Sequence, residues 1–166
     1  MRKHGNLEDV RLTKQKIRSK ILLRLKTQKE AISSKKSRII KEKLFRVKAF
    51  KKAKNVMFYI ALKGEVNTAE MIKEAKKIGK IVTVPVCKKN RITIRPCILD
   101  DNAVLKKGPY GVCEPALERL IHLKELDLVI APGLAFDKKG KLIFRKDGKL
   151  NAEEIQKLIK TIRDNL

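Results

Sequence analysis

The chain has no tryptophan, and aromatic residues make up only 4% of it. A stacking platform for single-stranded nucleic acid, which needs several aromatic faces, has few candidates here. There are two histidines and three cysteines, Cys87, Cys97 and Cys113, with no C-x-x-C pair. That spacing supports neither a zinc site nor a disulfide framework, so a reducing, cytoplasmic compartment is expected. No apolar run approaches the roughly 20 residues that span a bilayer, and the N-terminus MRKHGNLEDVRLTKQK has no apolar core of a secretory signal. No membrane association is therefore expected. No Ser-His-Asp order is visible, and no catalytic residue is assigned.

What the chain has in excess is positive charge. Its 166 residues carry 42 Lys and Arg against 18 Asp and Glu, a net +24. Residues 1–54 hold 20 of the cations and 4 of the acids. A basic RNA-associated domain is one reading of that asymmetry. Solvated helix faces are the plainer one, because Lys greatly outnumbers Arg and no nucleic-acid motif is present, so nucleic acid is not the expected partner. Hydrophobic residues make up 43%, enough for a packed core, and the length suits one ordinary domain.

Periodicity divides the chain. Val10, Ile17, Ile21, Leu22 and Leu25 predict one helix over 10–30, and Ile39, Ile40, Leu44, Val47 and Phe50 predict a second over 33–50, capped by Ser33 or Ser34. NVMFYIAL (55–62) reads as a strand buried on both faces. A helix follows, with Asn67 and Glu70 spaced as a capping box and Gly79 as its stop. KIVTVPV (80–86), RITIRPCIL (91–99) and DLVIAPG (127–133) read as further strands. Strand, helix, strand at this spacing predicts an α/β fold with a mostly parallel, Rossmann-like sheet behind a basic helical N-terminus. KGKLIFRKDGKL suggests a hairpin about Asp147-Gly148, and NAEEIQKLIKTIRDNL a final amphipathic helix.

Ligands of open α/β sheets bind in the crevice at the strand ends. Three loops lie there: Lys63-Gly64-Glu65, Gly108 to Pro115, and Pro132 to Asp137. Glu65 and Glu114 could hold an amine or amide donor. The plain alternative is a loop carboxylate that faces water or caps a neighbour. Gly108, Gly111, Pro132 and Gly133 read first as turn residues. Asp137 beside three lysines makes a poor magnesium site, and no metal ligand is assigned. The three cysteines read as small packing residues.

Taken together, these segments resemble the 5-formyltetrahydrofolate cyclo-ligase family. Lys14-Gln15-Lys16-Ile17-Arg18 is similar to its K-x-x-[LI]-R motif, and Ser37 falls at the family's spacing beyond it. Tyr59 through Glu65, Val66 and Thr68 resembles Y-x-x-x-x-x-E-[VI]-x-T. Gly79-Lys80 with Val84-Pro85, Gly108 to Pro115, and Asp127 to Asp137 match three further motifs in order. The resemblance implies a three-layer α/β domain. It also implies ATP- and Mg2+-dependent closure of 5-formyltetrahydrofolate to 5,10-methenyltetrahydrofolate. In that frame Lys14 and Arg18 would contact ATP phosphates, and Ile60 and Glu65 would line the folate pocket. Gly108, Tyr110, Gly111, Glu114, Pro132, Gly133 and Asp137 would border the cleft.

The resemblance stops after Gly140. The family continues R-L-G-x-G-x-G-Y-Y-D, a glycine-rich phosphate cradle, whereas this chain reads Lys141-Leu142-Ile143-Phe144-Arg145-Lys146-Asp147-Gly148. The expected division is a cyclo-ligase-like α/β domain over 1–140, shortened at its C-terminal part, and a divergent tail over 141–166. Impaired activity, or folate or nucleotide binding without turnover, is the alternative this departure leaves open.

Overall fold

The computed structural model describes residues 7–87, 94–108, 111–133, 135–136 and 142–144. Helix α1 (Leu7–Thr27) contains neither Gly nor Pro and carries a narrow apolar stripe, with Leu22 and Leu25 half-buried and Leu23 63% exposed. Helix α2 spans Glu30–Arg46 and α3 spans Lys48–Lys52.

Two expectations about these helices are corrected. The second helix starts a turn earlier than Ser33 or Ser34. Its N-cap is Lys29, with no side-chain cap bond, and Glu30 in the first turn complements the positive helix end. The predicted single helix over 33–50 is also broken, at Val47, whose backbone is extended (φ −64, ψ 129). The break has a packing reason. Five residues along an unbroken helix turn the side chain by about 140°. With the break, the rings of Phe45 and Phe50 meet at 4.6 Å, and Phe50 enters the core.

The sheet has the order β3-β2-β1-β6. Strands β1 (Asn55–Met57) and β2 (Ile81–Cys87) are parallel, joined through α4 (Ala69–Lys77), and β6 (Leu128–Val129) is parallel to β1. Strand β3 (Ile94–Ile98) is antiparallel to β2. Only residues 88–93 separate those two, too short a link for the crossover that a parallel pair needs. The architecture is thus α/β with a mostly parallel sheet. Strands β4 (Leu105–Lys107) and β5 (Cys113–Pro115) form a separate antiparallel ribbon. Strand β8 (Leu142–Phe144) pairs with β7 (Ala135–Phe136), so the LIF stretch turns back on the preceding segment. The Asp147-Gly148 turn and the expected final helix lie outside the described residues.

The core lies on the face where Val56, Phe58 and Val82 meet Phe50 and Ala53 of the α3 region and Met71 and Ala75 of α4. Strand β1 is buried on both faces, as its unbroken apolar run requires. Two polar devices register the elements. Asp127 Oδ2 accepts from the Lys54 and Asn55 amides at 2.7 and 2.8 Å, which sets β6 beside β1. Lys80 Nζ donates to the Ala53 carbonyl and lies 4.9 Å over the Phe50 ring, putting a cation at the C-terminal end of α3.

The capping box expected at Asn67 and Glu70 does not form. The N-cap is Thr68. Asn67 Oδ1 accepts from Ala69 N at 2.9 Å, while the Asn67 amide itself is taken by Ser37. The Gly79 stop is present. Gly79 N donates to Lys76 O and Lys80 N to Ala75 O, a Schellman pair that requires left-handed backbone, and Gly79 has φ +80. His122, without an expected partner, caps a 3₁₀ turn (Leu123–Glu125) by accepting from Lys124 N. Cys97 is buried, and burial pushes its thiol above the ordinary range, as suits a packing residue; Cys113 is exposed and is not one.

A Cβ at Gly79 would meet no atom within 4 Å, so the cost of a side chain there is purely conformational. Gly79→Ala is expected to lower stability by about 1 kcal/mol, read as a lower urea midpoint with unchanged slope.

Candidate active site

Because β1, β2 and β6 are parallel, their C-terminal ends share one edge of the sheet. At the end of β1 the chain leaves the ladder, and residues 58–68 run irregularly to α4. A groove of about 820 Å³ lies there, within the range of small-molecule sites. Its walls among the described residues are Leu22, Leu25 and Lys26 of α1, Gln28, Glu30, Ser33, Ser34 and Ser37 around α2, and Ala61 to Glu65 with Asn67 from the loop.

Side chains hold that loop. Leu62 N donates to Glu65 Oε2 at 2.8 Å, and Glu65 N donates to Leu62 O at 3.0 Å. The reciprocal pair closes a tight turn whose third residue, Gly64, has φ +85, a conformation that favours glycine. Tyr59 Oη donates to Val66 O at 2.8 Å, and Thr68 Oγ1 donates to Tyr59 O at 2.7 Å. Ser37 Oγ accepts from Asn67 N at 3.0 Å. Burial pushes the Tyr59 phenol up to about 12, and the negative charge of Glu65 adds to the shift. The phenol therefore stays protonated, as its donation to Val66 O requires.

The expected site residues divide into groups. Glu65 is in the groove wall, with one carboxylate oxygen already engaged by the turn. Ile60 is half-buried, directly before Ala61 of the wall. Lys14, Arg18 and Leu22 lie on α1 at successive i,i+4 spacings, so their positions share the helix stripe that becomes a groove wall. The side chain of Lys14 is outside the described residues.

The described residues of the second and third loops reach the same sheet edge but are not among those that line this groove. Glu114 is 4% exposed, and its Oε1 accepts from Cys87 N, at the end of β2. Gly108 faces it closely: a Cβ there would sit 2.5 Å from Glu114 Cδ. Gly111 has φ +76, and Gly108 N bonds Val112 O, so both glycines serve the turn between β4 and β5. Pro132 and Gly133 follow β6. Tyr110 and Asp137 lie outside the described residues. The contributions of Lys26, Ser33 and Ser34 were not anticipated. The usable signal was Ser33, Ser34 and Ser37, spaced to put small hydroxyls at i and i+4 along α2.

Among the described residues, no three His, Cys, Asp or Glu side chains form a group that could hold a metal ion by themselves, and none is assigned as a ligand. A magnesium ion carried by a nucleotide takes phosphate oxygens and water and needs no such group.

An open, mostly parallel sheet with a groove at its strand ends places the chain among the α/β folds that take small ligands at that edge. The chain belongs to the 5-formyltetrahydrofolate cyclo-ligase family, whose sequence model matches residues 10–148. It is 33% identical over 96 residues to the 5-formyltetrahydrofolate cyclo-ligase of Haemophilus influenzae, covering 54% of this chain and 50% of that one. The mouse cyclo-ligase is 25% identical over 146 residues, 84% of this chain and 72% of the relative. The chain thus spans about half the length of the bacterial relative. The solution structure of Aquifex aeolicus 5,10-methenyltetrahydrofolate synthetase is similar with a TM-score of 0.73 at 26% identity, over 90% of this chain and 73% of that one. The Mycoplasma pneumoniae synthetase shares the fold, with a TM-score of 0.55 at 16% identity over 75% of this chain and 66% of that one.

In a Tyr110→Phe variant, alkaline absorbance titration is expected to show Tyr59 ionising near pH 12. Ionisation at the ordinary value of 10 would remove the buried-phenol description. Because the folded state holds the proton more tightly, this contribution to stability is complete below pH 10 and is lost as pH rises to about 12.

Proposed function

We propose that this chain catalyses the reaction for which its relatives are named, with 5-formyltetrahydrofolate bound in the groove at the end of β1 and ATP as the second substrate. The observation that carries the reading is the placement of Glu65. The family match covers it, and the structure puts it in the wall of a groove of ligand size.

The chemistry has two stages. The formyl oxygen attacks the γ-phosphorus of ATP, an O–P bond forms and ADP leaves. N10 then donates its electron pair to the activated formyl carbon. The C–O bond breaks, phosphate departs with the former formyl oxygen, N10 loses its proton, and the methenyl cation remains. Phosphorylation converts an oxide into a good leaving group. Binding pre-positions N10 so that the closure is unimolecular.

The residues divide the work by charge and shape. Lys14 and Arg18, fixed cations on one stripe of α1, are proposed for the triphosphate. Glu65 is proposed for the polar edge of the pterin: a carboxylate accepts several hydrogen bonds, and the Leu62 amide uses one. Ile60 supports the ring from the loop's start. The Gly108–Glu114 and Pro132–Asp137 loops would border the same sheet edge. The partner is proposed to be this small molecule rather than nucleic acid, and the compartment the cytoplasm. Magnesium would accompany ATP, with no step assigned to it.

One observation favours a second reading, folate or nucleotide binding without turnover. The resemblance implies a glycine-rich phosphate cradle after Gly140, and this chain carries Lys141 to Gly148 there, although the family match itself runs to residue 148.

Incubation with 5-formyltetrahydrofolate and Mg-ATP is expected to form the methenyl product, followed by its absorbance, in equal amount to ADP. Folate or nucleotide binding with no product selects the second reading, and binding of neither rejects both. Glu65→Gln keeps an acceptor for the Leu62 amide, so it is expected to weaken folate binding about tenfold while leaving the melting temperature unchanged. Unaltered affinity would remove Glu65 from the site.

A further inference from the structure

Among its described residues, α2 buries one side chain, and that side chain is polar. Ser37 is 8% exposed. A buried hydroxyl is unfavourable unless it is hydrogen-bonded. Ser37 uses its oxygen on a distant segment, accepting the Asn67 amide at 3.0 Å.

The position of that bond gives it a consequence. Val66, Asn67 and Thr68 are each held by a hydrogen bond that involves a side chain. The bonds of Val66 and Thr68 both run to Tyr59, within the strand-end segment itself, and so hold the loop to its own beginning. The bond at Asn67 comes from across the groove, since Ser37 belongs to the α2 wall and Asn67 to the loop wall. One turn farther along α2, Lys41 Nζ meets Glu74 at 2.7 Å, a half-buried pair that joins α2 to α4 and not to the loop. Among the described groove residues, the bond from α2 to the loop wall is Ser37 to Asn67, two residues from Glu65.

We infer that Ser37 is a positioning residue. Its hydroxyl sets the separation between α2 and the loop that carries Glu65, and thereby the fit of the folate, without touching a reacting atom. This rests on the reading of the groove as the folate site.

The test uses the full chain as wild type, Ser37→Ala and Ser37→Thr, with two readouts: amide exchange by NMR and affinity for 5-formyltetrahydrofolate by calorimetry. In Ser37→Ala the Asn67 amide is expected to exchange at least tenfold faster. The Phe58 and Ile130 amides, bonded within the sheet, keep their protection. The folate dissociation constant is expected to rise about tenfold, the size of one lost hydrogen bond. Ser37→Thr, which retains the hydroxyl, is expected to restore both values to within about threefold. Unchanged folate affinity in Ser37→Ala, with wild type binding, overturns this inference alone. Equal loss in the alanine and threonine variants also overturns it, because packing and not the hydroxyl would then be at work. A wild-type chain without folate affinity overturns the functional reading and this inference with it.

Discussion

The site depends on how the chain leaves β1. The strand's ladder ends at Met57, and the next helix begins at Ala69. Between them the backbone has few ladder partners, yet it runs beside the core, where unpaired amides and carbonyls are costly. Side chains supply the missing partners. Glu65 closes one turn, Tyr59 and Thr68 link the two ends, and Ser37 of α2 takes the Asn67 amide. The same bonds that satisfy the backbone give the groove a fixed wall. Structural necessity and the proposed ligand recognition therefore fall on the same residues.

Glu65 shows how these demands combine. A carboxylate that only faced water would leave the turn open; one consumed by the turn would have nothing to offer a ligand. Here one oxygen accepts the Leu62 amide and the residue still lines the groove. Its charge also helps keep the Tyr59 phenol protonated, which sustains the bond to Val66. Glu114 is different. It is buried, with Oε1 accepting from Cys87 at the end of β2, and Gly108 lacks a side chain where the Glu114 carboxyl group passes. Two glutamates that look alike as loop residues thus occupy different settings, one at the groove and one locked between a strand end and a turn.

Much of the fold was legible because its signals are local. The apolar run at 55–62 named a strand buried on both faces, although only Asn55–Met57 join the ladder and the rest leaves it as loop, and Gly79 named a helix stop that needs positive φ. The failures were places where packing overrode local preference. Val47 breaks a helix whose periodicity continues, because Phe50 gains more by reaching the core. Asn67 and Glu70 have capping-box spacing, yet the amide the box would use is bonded to Ser37, 30 residues away in sequence.

By itself the sequence determined the family, the order of strands and helices, and the candidacy of Glu65, since each rests on residue types at short, ordered spacings. Only the tertiary structure decided that α1 and α2 wall the groove opposite the loop that carries Glu65, and that Ser37 ties α2 to that loop. Such facts depend on which distant segments come to share a hydrogen bond or a cavity, and spacing along the chain carries no measure of that distance.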